Sequence, residues 1–172
     1  TAFTCKDLTE DPQDATFSWN SLQLLHAMAP STSQPCPPQD PPQDMDCLFP
    51  NSTRLDTNDT QQAAHTALCL LQHLFRTLSR PNAPAHWIDR AHQRLLSHIH
   101  QYVRRLQRCL GHNGTCRQSR GPRNLHLSID KHFSCLHNFL QRNNHSPCAW
   151  DHVHRHARTW FLRIHNLTRT MR

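Results

Sequence analysis

Sixteen histidines and eight cysteines are the side chains of this 172-residue chain most able to do chemistry. His152, His154 and His156 alternate along one stretch, and His98 and His100 repeat the pattern. On a helix only residues three or four apart share a face, so His152 and His156 could offer two metal ligands but no third. The HExxH pattern, which adds a base to such a pair, does not occur. Exposed histidines are therefore expected, with no metal and no cofactor. A His–Lys–His site for phosphodiester cleavage is the enzyme alternative, a basic secreted nuclease. It would have to use Lys6 or Lys131, the two lysines of the chain. No period-two strand pattern is present to hold such a site. The three glycines, Gly111, Gly114 and Gly121, all fall in one short stretch. Loops that cradle phosphate need glycine at fixed spacing, so nucleotide sites are close to excluded. The chain is not expected to be an enzyme.

The cysteines point to a compartment. Cys5, Cys36, Cys47, Cys69, Cys109, Cys116, Cys135 and Cys148 are even in number and dispersed, with no CxxC pair. That usage fits disulfides in an oxidising, extracellular setting better than zinc. Glycosylation sequons at Asn51, Asn58, Asn113 and Asn166 agree, and the first three fall in loop-like segments. The start, TAFTCKDLTED, reads as a mature chain after removal of a signal peptide. Charge is divided unevenly. Residues 1–60 hold nine acids and two bases, whereas residues 61–172 hold three acids and seventeen bases. Either the acidic third covers basic helices, or a basic face meets an acidic partner. Arginine clusters at Arg104, Arg105 and Arg108, and at Arg117, Arg120 and Arg123, could hold sulfated glycans. Binding to nucleic acid is not expected of a secreted chain, and no apolar run approaches the ~20 residues that span a bilayer.

Amphipathic helices must carry these groups. Residues 14–28 place Ala15, Trp19, Leu22, Leu25 and Met28 at helical spacing, with Phe17 and Leu24 beside them. Seven of the twelve prolines then fall between Pro30 and Pro50, where no periodicity is visible. A structureless stretch of about thirty residues suits a long crossover between parallel helices. A second helix runs from Thr60 to Ser79. A short break at residues 80–84 turns a third back antiparallel over 86–110, with Ile88, Leu95, Ile99, Tyr102, Val103 and Leu106 inward. A fourth starts near Asn124 as N-cap, and Leu125, Ile129, Phe133, Leu136 and Phe139 face the core. Ser146-Pro147 gives the sharpest start signal, an N-cap serine followed by proline at the first helical position. The predicted architecture is all-α: one domain over residues 1–172, five helices in an up-up-down-down bundle of the long-chain cytokine kind.

The stretch His132-Phe133-Ser134-Cys135-Leu136-His137-Asn138-Phe139-Leu140, followed seven residues later by Cys148-Ala149-Trp150, resembles the type I (alpha/beta) interferon signature. The resemblance extends over the whole chain. Residues 14–28 look like the first interferon helix, Leu70-Leu71-Gln72-His73-Leu74-Phe75 fits the second, and Ala85-His86-Trp87 looks like the start of the third. It is most like the bird alpha-type branch. It implies disulfides Cys5–Cys109 and Cys36–Cys148. Cys47 and Cys135 remain for a third bridge, while Cys69 and Cys116 could pair, stay free or join two molecules. It also implies a secreted, monomeric ligand that bridges a two-chain receptor and starts antiviral JAK-STAT signalling. The high-affinity chain would meet the crossover and the exposed face of the fifth helix, at His154, Arg155, Arg158, Thr159 and Leu162. The low-affinity chain would meet the opposite side, on the second, third and fourth helices, with Phe75, Arg76 and Arg80 as the second-helix positions. The chain departs from the family pattern at Asp40 and Asp130, where relatives are usually basic. Another family of helical cytokines is the nearest alternative, because periodicity alone does not separate them.

Overall fold

A computed structural model describes residues 17–29, 47, 59–84, 87–111 and 123–171. Five helices make up nearly all of it: α1 Phe17–Met28, α2 Thr60–Leu78, α3 Asp89–Leu110, α4 Arg123–Arg142 and α5 Pro147–Met171. No strand occurs among the described residues. The proline-rich crossover lies outside them, apart from Cys47.

Local chemistry fixes the helix ends. The Asp59 carboxylate accepts the orphan amides of Gln61 and Gln62 at 2.9 and 3.2 Å, which caps α2. α3 stops at Gly111, whose φ of 78° is left-handed and whose N–H turns back to the carbonyls of Arg108 and Gln107. Only glycine takes that conformation without a Cβ penalty. α4 unwinds through Asn144 and His145, both at positive φ, and the His145 N–H bonds the Leu140 carbonyl at 2.8 Å. Ser146 Oγ then accepts the Ala149 amide at 3.2 Å, and Pro147 opens α5. Asn124 is not the cap of α4: the helix already includes Arg123.

Contacts between helices give their directions. The Met28 carbonyl meets the Ile88 N–H at the start of α3, while Phe17 lies on Tyr102 near its end. α1 and α3 are therefore antiparallel. Leu78 of α2 meets His92, and Phe75 meets His100, so α2 also opposes α3. Leu25 meets His154 and Phe17 meets Phe161, so α5 opposes α1. Helices α1, α2, α3 and α5 thus form the up-up-down-down bundle. α4 is an addition that runs up alongside α2, with His73 beside Asp130 and Thr77 beside His137.

α2 is the axis of the molecule. It packs on α3, α4 and α5 together, and every residue from Ala63 to Leu71 is buried. Around it the large side chains form one continuous core. Trp87 meets Trp150 edge-on at 5.1 Å, and Phe133 lies against Trp160 at 5.0 Å. Two expected core residues face water instead. Trp19 is 65% exposed and Ile88 is 47% exposed. The buried line of α1 is Phe17, Ser21, Leu25 and Met28, because Phe17 is locked between Tyr102 and Phe161 and sets the phase. Ile88 lies just ahead of α3, where its backbone N–H is held by Met28 and its side chain is left outside.

Candidate functional site

α5 carries two kinds of surface. Ala149, Trp150, Val153, Ala157, Trp160, Phe161, Ile164 and Leu167 are buried, and this stripe drives the helix onto α1 and α2. Between its inward positions the helix presents Arg155, Arg158, Thr159 and Leu162 to solvent. Arg155, Arg158 and Leu162 stand at i, i+3 and i+7, so they share one outer face. Leu162 is 48% exposed, an apolar side chain beside two guanidinium groups. That mixture is what an interface anchor offers: arginine forks for acidic groups and a methyl-rich patch that gains by leaving water.

His154 has a different place. Its Nε2 lies 2.7 Å from the Leu25 carbonyl, and a carbonyl only accepts, so Nε2 carries the proton and donates. Burial lowers the pKa of this imidazole, against the opposing pull of its bond to Leu25. His154 therefore rivets α5 to α1 and sits half-buried beneath the exposed face. On α1 itself Trp19 is exposed, on the side of the helix turned away from the buried Phe17, Ser21, Leu25 and Met28. The helical pattern of 14–28 could not reveal this, because Trp19 competes with Ser21 for the core, and hydrophobicity favours the wrong one.

The second predicted surface runs along α2 beside α3 and α4. Arg76 is exposed; Phe75 is half-buried, its ring 5.9 Å from His100. Arg80 is half-buried as well, with Nη1 enclosed and without a hydrogen-bond partner. The neighbouring seam between α2 and α4 is polar. His73 Nε2 meets one oxygen of Asp130 at 2.7 Å, and His126 Nε2 lies 3.5 Å from the other. The Thr77 hydroxyl donates to the His73 carbonyl at 3.0 Å, so it must accept from His137 Nε2 on its other side, also at 3.0 Å. Burial, then the charges of Arg80, His73 and Arg76, push the His137 pKa down to about 4. Burial also lowers His73, with Asp130 opposing it. Asp130 is thus occupied in holding α4 to α2.

The other candidate residues are placed as follows. Cys47 and Cys135 form a disulfide with Cα atoms 5.5 Å apart, joining the crossover to α4. Cys69, Cys109 and Cys148 are also disulfide-bonded. A free thiol at Cys69 is thereby corrected. It lies on the all-round buried part of α2, and its sulfur is already bonded. Cys5, Cys36 and Cys116 lie outside the described residues, as do Asn51, Asn58, Asn113, Asp40, Arg117 and Arg120. Asn166 is exposed on α5, Arg104 and Arg108 are exposed on α3, and Arg105 is half-buried. Among the described residues no group of three or more metal-ligating side chains gathers. No described helix is long and apolar enough to cross a membrane.

Comparison with known proteins adds an independent line. The family model for the interferon alpha/beta domain matches residues 11–171. An interferon of type A1/A2 from chicken, Gallus gallus, is 54% identical over 168 residues, covering 98% of this chain and 83% of the relative. A turkey interferon, from Meleagris gallopavo, is 55% identical over 161 residues, covering 94% of this chain and 81% of its own. Among solved structures, zebrafish interferon 1 superposes with a TM-score of 0.75 at 18% identity, over 94% of this chain and 97% of that one. At that identity the superposition speaks for the helical cytokine fold.

Proposed function

The chain belongs to the alpha/beta interferon family, and from that premise we propose that it is a secreted, monomeric ligand that bridges two receptor chains to start antiviral JAK-STAT signalling. It is a cytokine and not an enzyme. The observation that carries the proposal is the division of α5. The helix buries two tryptophans on one side and leaves Arg155, Arg158, Thr159 and Leu162 exposed on the other. A solvated face made only for solubility has no need of an exposed leucine between arginines. In this reading that outer face engages the high-affinity receptor chain, with His154 fixing its angle from below. Arg76, with Phe75 and Arg80 around it, engages the low-affinity chain from α2. The two surfaces lie on different helices, so one ligand can touch both chains at once. Glycans at Asn166 and at the crossover and loop sequons would fit a secreted chain.

The test is surface plasmon resonance of folded variants against the ectodomain of the high-affinity receptor from the same species. Arg155→Ala and Arg158→Ala should each weaken binding by about 1–3 kcal/mol, as arginines at an interface centre do. Wild-type affinity in both, with an unchanged circular dichroism spectrum, would put the site elsewhere. Arg76→Ala should leave that binding alone and lower the antiviral reporter response.

A further inference from the structure

The outer face of α3 carries a row of cations that the core does not use and that lies apart from the arginine face of α5. Arg90, Arg94, Arg104 and Arg108 are all exposed. At about 100° per residue they fall within roughly 40° of one line down the helix. Exposed Ser97 and Gln101 fill the gap between the two pairs. At 1.5 Å rise per residue the row is about 27 Å long.

The flanks of α3 fix where this row points. His98 turns toward the Phe17 carbonyl of α1 at 3.4 Å, and His100 turns toward Phe75 of α2. The row lies between those two directions and faces away from the bundle. None of the four arginines has an ion pair among the described residues. Asp89 is the one acid of α3, and it stands about 100° round from the row.

Helix stability does not account for the arrangement. Arg108 in the last turn is favoured by the macrodipole, but Arg90 stands in the first turn, where it disfavours cations, and Arg94 and Arg104 lie beyond its reach. The row also contains no aromatic side chain, so it offers nothing on which nucleic-acid bases could stack. What it offers is evenly directed guanidinium forks with a hydroxyl and an amide between them. Such a row matches a linear polymer bearing fixed anions and neutral hydroxyls. α1 and α2 lie between α3 and α5, so an occupant of this row leaves the arginine face of α5 open.

We propose that the outer row of α3 is a docking track for a linear sulfated polysaccharide. Sulfate esters remain ionised at every physiological pH, and so does arginine, so the attraction is set by salt and not by acidity. The track would hold the protein at cell surfaces and matrix while the arginine face of α5 stays accessible. It does not depend on the receptor reading, and each is tested by a different variant.

The experiment is plasmon resonance on immobilised heparin at physiological salt, with the full chain. Replacing Arg90, Arg94, Arg104 and Arg108 together by Gln should weaken binding about tenfold or more and flatten its salt dependence, by analogy with counterion release from nucleic acids. Arg155→Gln with Arg158→Gln should change it less than about threefold. Fully desulfated heparin should not compete. If the fourfold variant loses its helical circular dichroism, the pairs Arg90/Arg94 and Arg104/Arg108 are replaced separately, each with an expected loss of about threefold. The proposal is overturned if the α3 variants bind like wild type or the α5 variant loses as much as they do. It is also overturned if desulfated heparin, single-stranded DNA or phosphatidylserine vesicles compete as well as heparin.

Discussion

His132 and Trp160 satisfy each other in the driest part of the molecule. The indole Nε1–H donates to His132 Nε2 at 3.0 Å, so the imidazole is neutral with its proton on Nδ1. Both side chains are buried. His132→Ala would open a cavity and strand the indole N–H at once, each a recognised route to large destabilisation. We expect a loss of about 2–4 kcal/mol in urea unfolding followed by circular dichroism. A loss under about 1 kcal/mol would mean that water replaces the imidazole. The opposite expectation holds at Trp19. Its ring is mostly in water, so Trp19→Ala should change stability by no more than about 0.5 kcal/mol. As a large apolar ring left in water on α1, it is a second anchor candidate, and the same change is expected to weaken high-affinity receptor binding by about 1–3 kcal/mol. Unchanged affinity in plasmon resonance would confine the interface to α5. Neither residue's role was legible from residue type. A tryptophan in an amphipathic stretch reads as core, and a histidine beside phenylalanine does not announce an indole partner 28 residues away.

α4 is joined to the bundle differently from the other helices. Leu125, Ile129, Phe133, Leu136, Phe139 and Leu140 supply its buried side, but its seam with α2 is built from His73, Asp130, Thr77 and His137. The charged groups that act on His137 are Arg80, just past the end of α2, and His73 and Arg76 on α2. The folded pKa of His137 is lowered to about 4 from an ordinary 6.5, so the neutral form is the folded one. Its contribution is therefore complete above pH 6.5. It is lost as pH falls from there toward about 4, where the folded state also takes the proton. Allowing for the half-exposed setting, the loss should be about 1–3 kcal/mol over that window. His73, lowered by burial, adds in the same direction. Thermal melts of wild type and His137→Gln at pH 7 and pH 5 would measure it. The wild type should lose more stability on acidification than the variant, and parallel losses would refute the role of this side chain. Helix ends were easier to read than helix faces. Gly111 and Ser146-Pro147 act through bonds to their own neighbours, so the local sequence shows them. The phase of α1 and the all-round burial of α2 depend on which helices surround them, and no local pattern encodes that.

Across the whole molecule, the bundle was legible because its stripes, breaks and crossover length leave few topologies. The separate course of α4 was not, since two helices linked by a short turn read the same whether the first is inside the bundle or outside it. That outer position gives the Cys47–Cys135 bond its weight. It ties the crossover to the helix that lies outside the four-helix bundle, across 88 residues of sequence. Closing a loop of that length removes unfolded-state entropy equivalent to about 4–5 kcal/mol in the chain-entropy model. The crossover must also pass from the top of α1 to the start of α2, because the two helices run in the same direction. Without the bond, one of its anchors to the bundle is gone. Replacing Cys47 and Cys135 together by Ser should therefore lower Tm by roughly 8–15 °C for a chain of this size. Far-ultraviolet circular dichroism at 20 °C should stay close to wild type, since the five stripes still share one core. Differential scanning calorimetry decides the matter. A shift of less than about 3 °C would mean that packing alone holds the crossover against α4, and that the sulfurs add nothing to the unfolded-state constraint.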